Sequence, residues 1–430
     1  MISTAFVKIW GKVAGAVAWD DETGAGSFEF EPAFLRSGMD LSPLMMPAAA
    51  SDGRIWSFRE LARNDTFKGL PGMLADSLPD RFGNALIDAW LTRNGRPAGS
   101  MNPVEMLCYT GKRGMGALEY EPPVARGNNT ASRIEIAEMV EMAGNILSGR
   151  EDFSASVSED SAKAMSDILK IGTSAGGARP KAVIAYNPVT GEVRSGQAAA
   201  PEGFTHWILK FDGVRDRLFG KTDGYGRVEM AYHLMARECG IEMAECRLLE
   251  ENGRAHFMTR RFDRTDKGEK LHLQSFCGMR HFDFNDINSY GYELLFETAR
   301  LLRLPYSASE QIFLRMVFNV LARNCDDHTK NFAFVMDRQG TWSLAPAFDV
   351  CHTYDPSNPW VSRQALSVNG KRSNITKEDF LETAKHMNIK KAGAMIEKVI
   401  EAVKKWSSYA AETGVDKNLA DAIKSTIITI

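Results

Sequence analysis

The chain has 430 residues, 44% hydrophobic and 25% charged, with 52 lysines and arginines against 55 aspartates and glutamates. This is an ordinary globular composition, and the length suits roughly two or three core-bearing units. A formal net charge of −3 excludes the simplest nucleic-acid reading, because a domain that holds phosphates usually carries a basic excess; a local basic patch or a DNA-binding partner stays open. No run approaches the ~20 apolar residues that span a bilayer. The opening apolar segment carries Lys8 and Lys12 and lacks a signal-peptide layout. Six cysteines without CxxC spacing read as thiols of a reducing compartment. The expectation is a soluble, cytoplasmic protein.

Along the chain, Phe6 to Trp10, Val13 to Trp19 and Phe28 to Phe30 alternate as strands do, with the turn residues Asp20 to Gly24 between the last two. After Pro79-Asp80, Phe82, Leu86, Ala89 and Trp90 fall on one helical stripe. Pro122 to Thr130 is a boundary by composition, and a helix over Ile134 to Leu147 follows. An αβ block runs from about 159 to 265, with a helix at Ala162 to Leu169 and strands at Ala182 to Tyr186 and His206 to Lys210. It continues with a helix at Val228 to Cys239 and a hairpin, Cys246 to Leu249 and Ala255 to Thr259, turned at Glu251-Asn-Gly253. The remainder is mostly helical: Tyr290–Leu302, Ser309–Arg323, Lys377–His386 and Ala392–Trp406, with a strand at Phe332 to Val335. A mixed sheet joined by one hinge to a helical half is the layout of a bilobal enzyme.

The polar loops carry the chemistry. Ile312 to Leu321 is an apolar helix that ends in Asn324-Cys-Asp-Asp-His-Thr-Lys-Asn331, and acids placed there are costly without partners. Asp326 and Asn331 have the spacing of the base Asp and metal-binding Asn in the protein-kinase catalytic loop. Asp349, in Pro346-Ala-Phe-Asp349, would supply a second ligand for Mg²⁺, which takes carboxylates, an amide oxygen and substrate phosphates. Singly, each of these acids is better read as a cap or turn residue; the trio in this order favours function. The run Gly172-Thr-Ser-Ala-Gly-Gly-Ala-Arg-Pro-Lys181 matches neither a Walker A nor a GxGxxG pattern. Small residues with free N–H groups can nevertheless wrap phosphates. Ser174 would sit at its tip, and Arg179 or Lys181 would neutralise charge. Lys210 ends an apolar strand; strand lysines are more often surface residues, but a kinase needs one reaching the α- and β-phosphates, held by a helix glutamate, the place of Glu229. Arg260 to Arg264 leaves the last strand, where a hinge would offer its backbone to adenine.

Together these segments resemble the HipA family of bacterial serine/threonine kinases, the toxins of HipA/HipB toxin–antitoxin pairs, over nearly the whole chain. Gly69-Leu-Pro-Gly-Met-Leu-Ala-Asp-Ser-Leu-Pro-Asp-Arg-Phe-Gly83 resembles the family's LPD-containing segment, and residues 172–181 its serine-bearing phosphate loop. Asp326-Asp-His-Thr-Lys-Asn331 resembles its DxHxxN loop, and Ser367-Val-Asn-Gly-Lys-Arg with Phe380 to Lys385 its C-terminal stretch. The resemblance implies an α+β, bilobal protein-kinase-like (phosphoinositide-kinase-like) core. It divides the chain into a β-rich N-terminal subdomain over 1–125, a kinase N-lobe over 126–262, and an all-helical C-lobe over 263–430.

The same resemblance implies a kinase using ATP and Mg²⁺. Asp326 would be the catalytic base, Asn331 and Asp349 would hold Mg²⁺, and His328 would support the loop and nucleotide. Gly176, Gly177, Ala178, Arg179, Pro180 and Lys181 would contact the phosphates, with Lys210 on the α/β pair. Arg260 and Phe262 would pair adenine through their backbone. Ser174 matches the serine that family members autophosphorylate; about −1.5 to −2 of added charge would repel ATP and switch the enzyme off. The implied partners are a HipB-like helix-turn-helix antitoxin, operator DNA reached mainly through it, and a translation-related protein substrate such as an aminoacyl-tRNA synthetase. No membrane is implied.

Four positions depart from the commonest pattern: Asp327 replaces a frequent glycine and would add negative charge beside the phosphates, Cys325 replaces threonine, and Arg179-Pro180 replaces a Gln-Glu type pair. The competing readings are an inactive kinase-like scaffold that binds an antitoxin and co-represses transcription, and a small-molecule kinase. Direct DNA contact by Lys371 and Arg372 is weaker than a solvated basic turn.

Overall fold

The structure, a computed structural model, describes residues 2–124, 136–148, 172, 179–196, 200–216, 220, 221 and 223–430. The chain forms two compact units. One, β-rich, comprises Met1–Leu41, Met46–Gly226 and Cys246–Leu273; the other, largely helical, comprises Ser42–Met45, Arg227–Glu245 and Gln274–Ile430.

The β-rich unit opens with an antiparallel sheet of β1 (Thr4–Ile9), β2 (Lys12–Asp20), β3 (Ala25–Phe30), β4 (Ile55–Ser57) and β5 (Leu118–Glu121), in the order β4-β3-β2-β1-β5. Alternation decides which face is covered: Ala5, Val7 and Ile9 are buried while Thr4 and Phe6 face out. β1 turns into β2 through Trp10 and Gly11, both at positive φ (48° and 80°), the two-residue hairpin geometry that matches strand twist. The helix Arg81–Arg93 starts where Asp80 accepts a hydrogen bond from the Gly83 N–H at 2.7 Å, a standard N-cap.

A second sheet contains β6 (Lys181–Tyr186), β7 (Val193–Ser195) and β8 (Thr205–Lys210). A short ribbon of β9 (Arg215–Asp216) and β10 (Gly220–Lys221) follows, and β11 (Cys246–Glu251) and β12 (Arg254–Arg260) return to the second sheet, whose order is β11-β12-β8-β6-β7. The expected mixed sheet is antiparallel at every pairing. The reason is the turn at Asn252-Gly253, both at positive φ (46° and 77°), which folds β12 back between β11 and β8. Trp207 and Leu209 of β8 pack with Ala182 and Ile184 of β6, with Phe82 and Leu86, and with Met139 and Ala143 of the helix Ile136–Ser148. One core therefore joins the first long helix to the second sheet. The helix proposed at 162–169 lies outside the described residues.

The helix Tyr225–Glu238 begins in the β-rich unit, where Gly226 is pressed so close to β12 that a Cβ would fall 2.0 Å from the Ala255 carbonyl oxygen. It continues into the helical unit. There the helix Tyr306–Leu321 is the axis, with every residue from Ile312 to Leu321 buried, as expected of a helix that is apolar nearly all round. Around it stand Tyr292–Leu301, Lys377–Met387, Ala392–Lys404, Trp406–Glu412 and Lys417–Thr426. A small sheet of β13 (His272–Ser275), β14 (Ala333–Met336) and β15 (Trp342–Leu344) accompanies them. All six cysteines are buried free thiols. Among the described residues no helix is long and apolar enough to cross a membrane.

Candidate active site

In the helical unit, the loop after Leu321 turns on Arg323, whose φ is +57°. Its conformation is then set by hydrogen bonds. The Thr353 hydroxyl accepts from the N–H groups of Cys325 (2.8 Å) and Asp326 (3.0 Å). The Asn331 amide donates Nδ2 to the Asp326 carbonyl at 2.6 Å, so the two ends of the five-residue interval fold together. Asn331 Oδ1, a hard oxygen, is the atom left to meet a cation. The Asp326 carboxylate keeps 45% of its side-chain surface exposed.

His328 supports this loop from within. Its Nδ1 accepts from the Lys330 N–H at 3.2 Å, which places the proton of a neutral ring on Nε2. Nε2 stands 3.6 Å from Asp326 Oδ1, too far for a good hydrogen bond but close enough for an electrostatic contact. The ring also packs on Phe284, with centroids 5.2 Å apart.

Asp349 sits at φ +55°, a left-handed conformation that Asp tolerates better than most side chains. With Asn331, Asp327, Asn324 and Arg315 it lines a cavity of about 10 Å³, roughly the space of one water. The segment leading to it is fixed from both sides. Arg315 donates Nη2 to the Ala345 carbonyl at 2.8 Å, and the Ala347 N–H donates to the Glu242 carbonyl at 2.8 Å. Among the described residues no three His, Cys, Asp or Glu side chains gather as a metal cluster. One carboxylate with one amide oxygen suits Mg²⁺, which completes its shell with water and substrate phosphates; it does not suit an all-protein cage.

Asp327 departs from expectation. It does not stand as open charge, because it is 1% exposed and both its oxygens accept hydrogen bonds. Tyr292 Oη donates to Oδ2 at 2.7 Å and Gln364 Nε2 to the same oxygen at 3.1 Å. The Ala365 N–H donates to Oδ1 at 2.7 Å. Burial pushes its carboxyl up to about 6, against the pull of these donors. Cys325 is buried beside it, with its thiol donating to Gln364 Oε1 at 3.0 Å and its pKa pushed up to about 12 by burial. It is a packing group and not a nucleophile. Tyr292, Asn319, Thr353 and Gln364, none of them singled out in the sequence, complete the site's support.

In the β-rich unit, Lys181 and Lys210 are direct cross-strand partners on β6 and β8, and both are buried, at 3% and 9% exposure. Lys210 Nζ lies 5.7 Å from the Phe257 ring centroid. As direct cross-strand partners their side chains leave the same face of the sheet. Arg179 stacks over the Tyr225 ring at 4.8 Å, and the Pro180 carbonyl accepts from the Phe211 N–H at 3.0 Å. Gly172 is packed so that a Cβ would lie 2.5 Å from Leu86, which makes it a core position. Ser174, Gly176, Gly177 and Ala178 lie outside the described residues.

At the end of β12, Arg260 pairs with Asp266 at 2.7 Å, and the Arg261 N–H is committed to the His206 carbonyl; Phe262 is half-buried. Glu229 is buried on the helix Tyr225–Glu238, in the helical unit; Lys210 belongs to the other. Lys371 and Arg372 are tied down. Lys371 pairs with Asp379 at 2.9 Å, while Arg372 donates to the carbonyls of Ala365 and Tyr290.

Two family models match the chain: the HipA N-terminal domain over residues 5–121 and the HipA-like C-terminal domain over residues 173–407. The chain belongs to the HipA family. Its fold matches HipA of Shewanella oneidensis MR-1, solved with HipB and operator DNA, with a TM-score of 0.69, 18% identity, and coverage of 98% of this chain and 95% of that one. The α+β, kinase-like architecture of HipA is therefore its own. A protein of Sinorhizobium fredii (strain NBRC 101917 / NGR234) named "Putative kinase Y4dM" is 25% identical over 162 residues, 34% of this chain. That match spans 37% of the relative's length.

Proposed function

We propose that this chain is an ATP- and Mg²⁺-dependent protein serine/threonine kinase and the toxin of a type II toxin–antitoxin pair. The observation that carries the reading is the loop Asp326–Asn331. It is folded back on itself, with Asp326 exposed and with Asn331 and Asp349 on one cavity. Asp326 acts as the base that orients the acceptor hydroxyl, and Asn331 and Asp349 hold the cation, which when bound neutralises charge on the phosphates. Lys181 and Lys210 take phosphate oxygens, Arg179 and Pro180 belong to the same loop, and Glu229 is the supporting glutamate. Arg260 and Phe262 offer backbone groups to adenine. Phosphoryl transfer needs positioning and charge neutralisation more than covalent help, and these residues supply both. Residues 126–262 serve as the nucleotide lobe, 263–430 as the catalytic lobe, and 1–125 as the docking piece.

By analogy with HipA, whose structure was solved with HipB and operator DNA, the partner is a small helix-turn-helix antitoxin that carries most of the DNA binding. The substrate is a translation-related protein, such as an aminoacyl-tRNA synthetase, and Ser174 is the autophosphorylated off-switch. The test incubates the full chain with labelled ATP and cell lysate. Label should enter the chain and at least one other protein, and Asp326→Ala should abolish both. An Asp326→Ala protein that keeps its rate would overturn the catalytic assignment. Label confined to small molecules would favour a small-molecule kinase, and unmodified Ser174 after prolonged ATP exposure would remove the switch.

A further inference from the structure

The residue beside the proposed base is buried in a polar network that joins three separated parts of the helical unit. Asp327 receives Tyr292 Oη from the helix Tyr292–Leu301, and Gln364 Nε2 and the Ala365 N–H from the segment that follows the Asp349 loop. The Leu366 N–H is a further, longer contact at 3.4 Å. The network continues to the central helix, where Asn319 Nδ2 donates to Tyr292 Oη at 2.9 Å and Asn319 Oδ1 accepts from Asn324 Nδ2 at 3.0 Å. Gln364 closes a second ring: its Nε2 donates to the Asn324 carbonyl at 3.0 Å and its Oε1 accepts from Cys325.

A fully buried carboxylate is costly unless its lone pairs are satisfied. Here the donors come from residues 35 to 38 positions away in sequence, so the carboxylate can be satisfied only when those segments are docked. A surface loop has no need of such an anchor, but a loop whose neighbouring carboxylate must hold a reacting hydroxyl does. Misplacement of such a group by about 1 Å can cost 10²-fold in rate.

We propose that Asp327 is a positioning residue: its buried carboxylate locks the loop 324–331 against Tyr292 and residues 364–366, and so fixes Asp326 for phosphoryl transfer. This rests on the reading of Asp326 as the base.

The test compares the full-length wild type with Asp327→Asn, with the double variant Tyr292→Phe/Gln364→Met, with all three changes combined, and with Asp326→Ala. Asparagine keeps the shape and an acceptor for the Ala365 N–H but turns an NH₂ toward Gln364. Each protein is assayed for kcat, for KM for ATP, and for backbone hydrogen exchange in peptides covering 324–331. Asp327→Asn and the double variant should each raise exchange there about tenfold. Each should lower kcat by about 10- to 10²-fold, with KM for ATP changed less than about twofold. The combination should be no worse than the more severe parent, because both act through one anchor. Unchanged exchange in Asp327→Asn overturns the proposal. So does a loss of kcat accompanied by a raised KM and faster exchange throughout the helical unit, the mark of a general structural role. If Asp326→Ala keeps its rate, the base assignment fails by itself, and exchange still decides whether Asp327 holds the loop.

Discussion

The substitution Asp263→Asn tests the most concentrated buried charge in the β-rich unit. Asp263 has no exposed side-chain surface and pairs with Arg261, 1% exposed, and Arg264, 8% exposed. Its oxygens accept from Arg261 Nε at 2.9 Å and Nη2 at 2.7 Å, from Arg264 Nη1 at 2.8 Å, and from the Gly116 N–H at 2.6 Å. The two guanidinium groups also reach the Gly114 and Gly116 carbonyls, both at 3.1 Å. One carboxylate thus ties the loop before β5 to the chain leaving β12, the stretch proposed to face adenine. Removing one partner of a buried pair strands the other charge, at about 3–5 kcal/mol, and that is the loss expected for Asp263→Asn at pH 7 in a urea titration.

The pH dependence gives the sign independently. Burial alone would raise the Asp263 carboxyl, but the adjacent Arg261 and Arg264 outweigh it and hold it well below the usual carboxylate range. A group whose folded pKa is depressed contributes stability that is complete above its unfolded value, about 3.9, and is lost as pH falls toward the folded value. The difference between wild type and Asp263→Asn should therefore be flat from pH 7 to about 4.5 and shrink below about 4. A loss below about 1 kcal/mol at pH 7, or a gap that widens on acidification, would refute the account.

Other outcomes follow from the same geometry. Lys210→Met should abolish the ATP-dependent rise in melting temperature, which for wild type at 100 times Kd corresponds to about 2.7 kcal/mol; an undiminished shift would remove Lys210 from the nucleotide site. Trp207→Ala should cost about 3–5 kcal/mol in urea unfolding, because the ring is 1% exposed in the core shared by β6, β8 and the helix Arg81–Arg93. Deleting residues 425–430 should speed hydrogen exchange at 321–325. Arg323 Nε donates to the Thr426 carbonyl at 2.9 Å, the Ile428 N–H donates to the Leu321 carbonyl at 3.0 Å, and His352 meets the Thr426 hydroxyl at 2.9 Å. Unchanged exchange there would show that this contact does not brace the loop.

What could be read from the sequence was local. The alternation over Phe6 to Trp10 marks a strand, Asn252-Gly253 marks a hairpin turn, and Pro79-Asp80 marks a helix start, each because the physics acts within a few residues. β4 and β15, three residues each, are too short to show a period of two. The helix Lys417–Thr426 buries Ile423 alone, and Trp406–Glu412 is only seven residues long, so neither is long or apolar enough to stand out. The cross-strand pairing of Lys181 with Lys210 is a matter of register, which neither strand carries by itself.

The same distinction separates Asp326 from Asp327. Side by side in sequence they are two acids in a polar loop, and composition would give both the same solvated surroundings. The alternation of the backbone sends one toward solvent, 45% exposed, and the other into a ring of donors supplied by Tyr292, Gln364 and Ala365. Burial and satisfaction, and not residue type, assign their roles: a half-exposed carboxylate can accept a substrate proton, whereas a buried one with its oxygens already engaged can only hold structure. The charge of Asp327 is thereby not open to solvent but tied into the packing of its own loop.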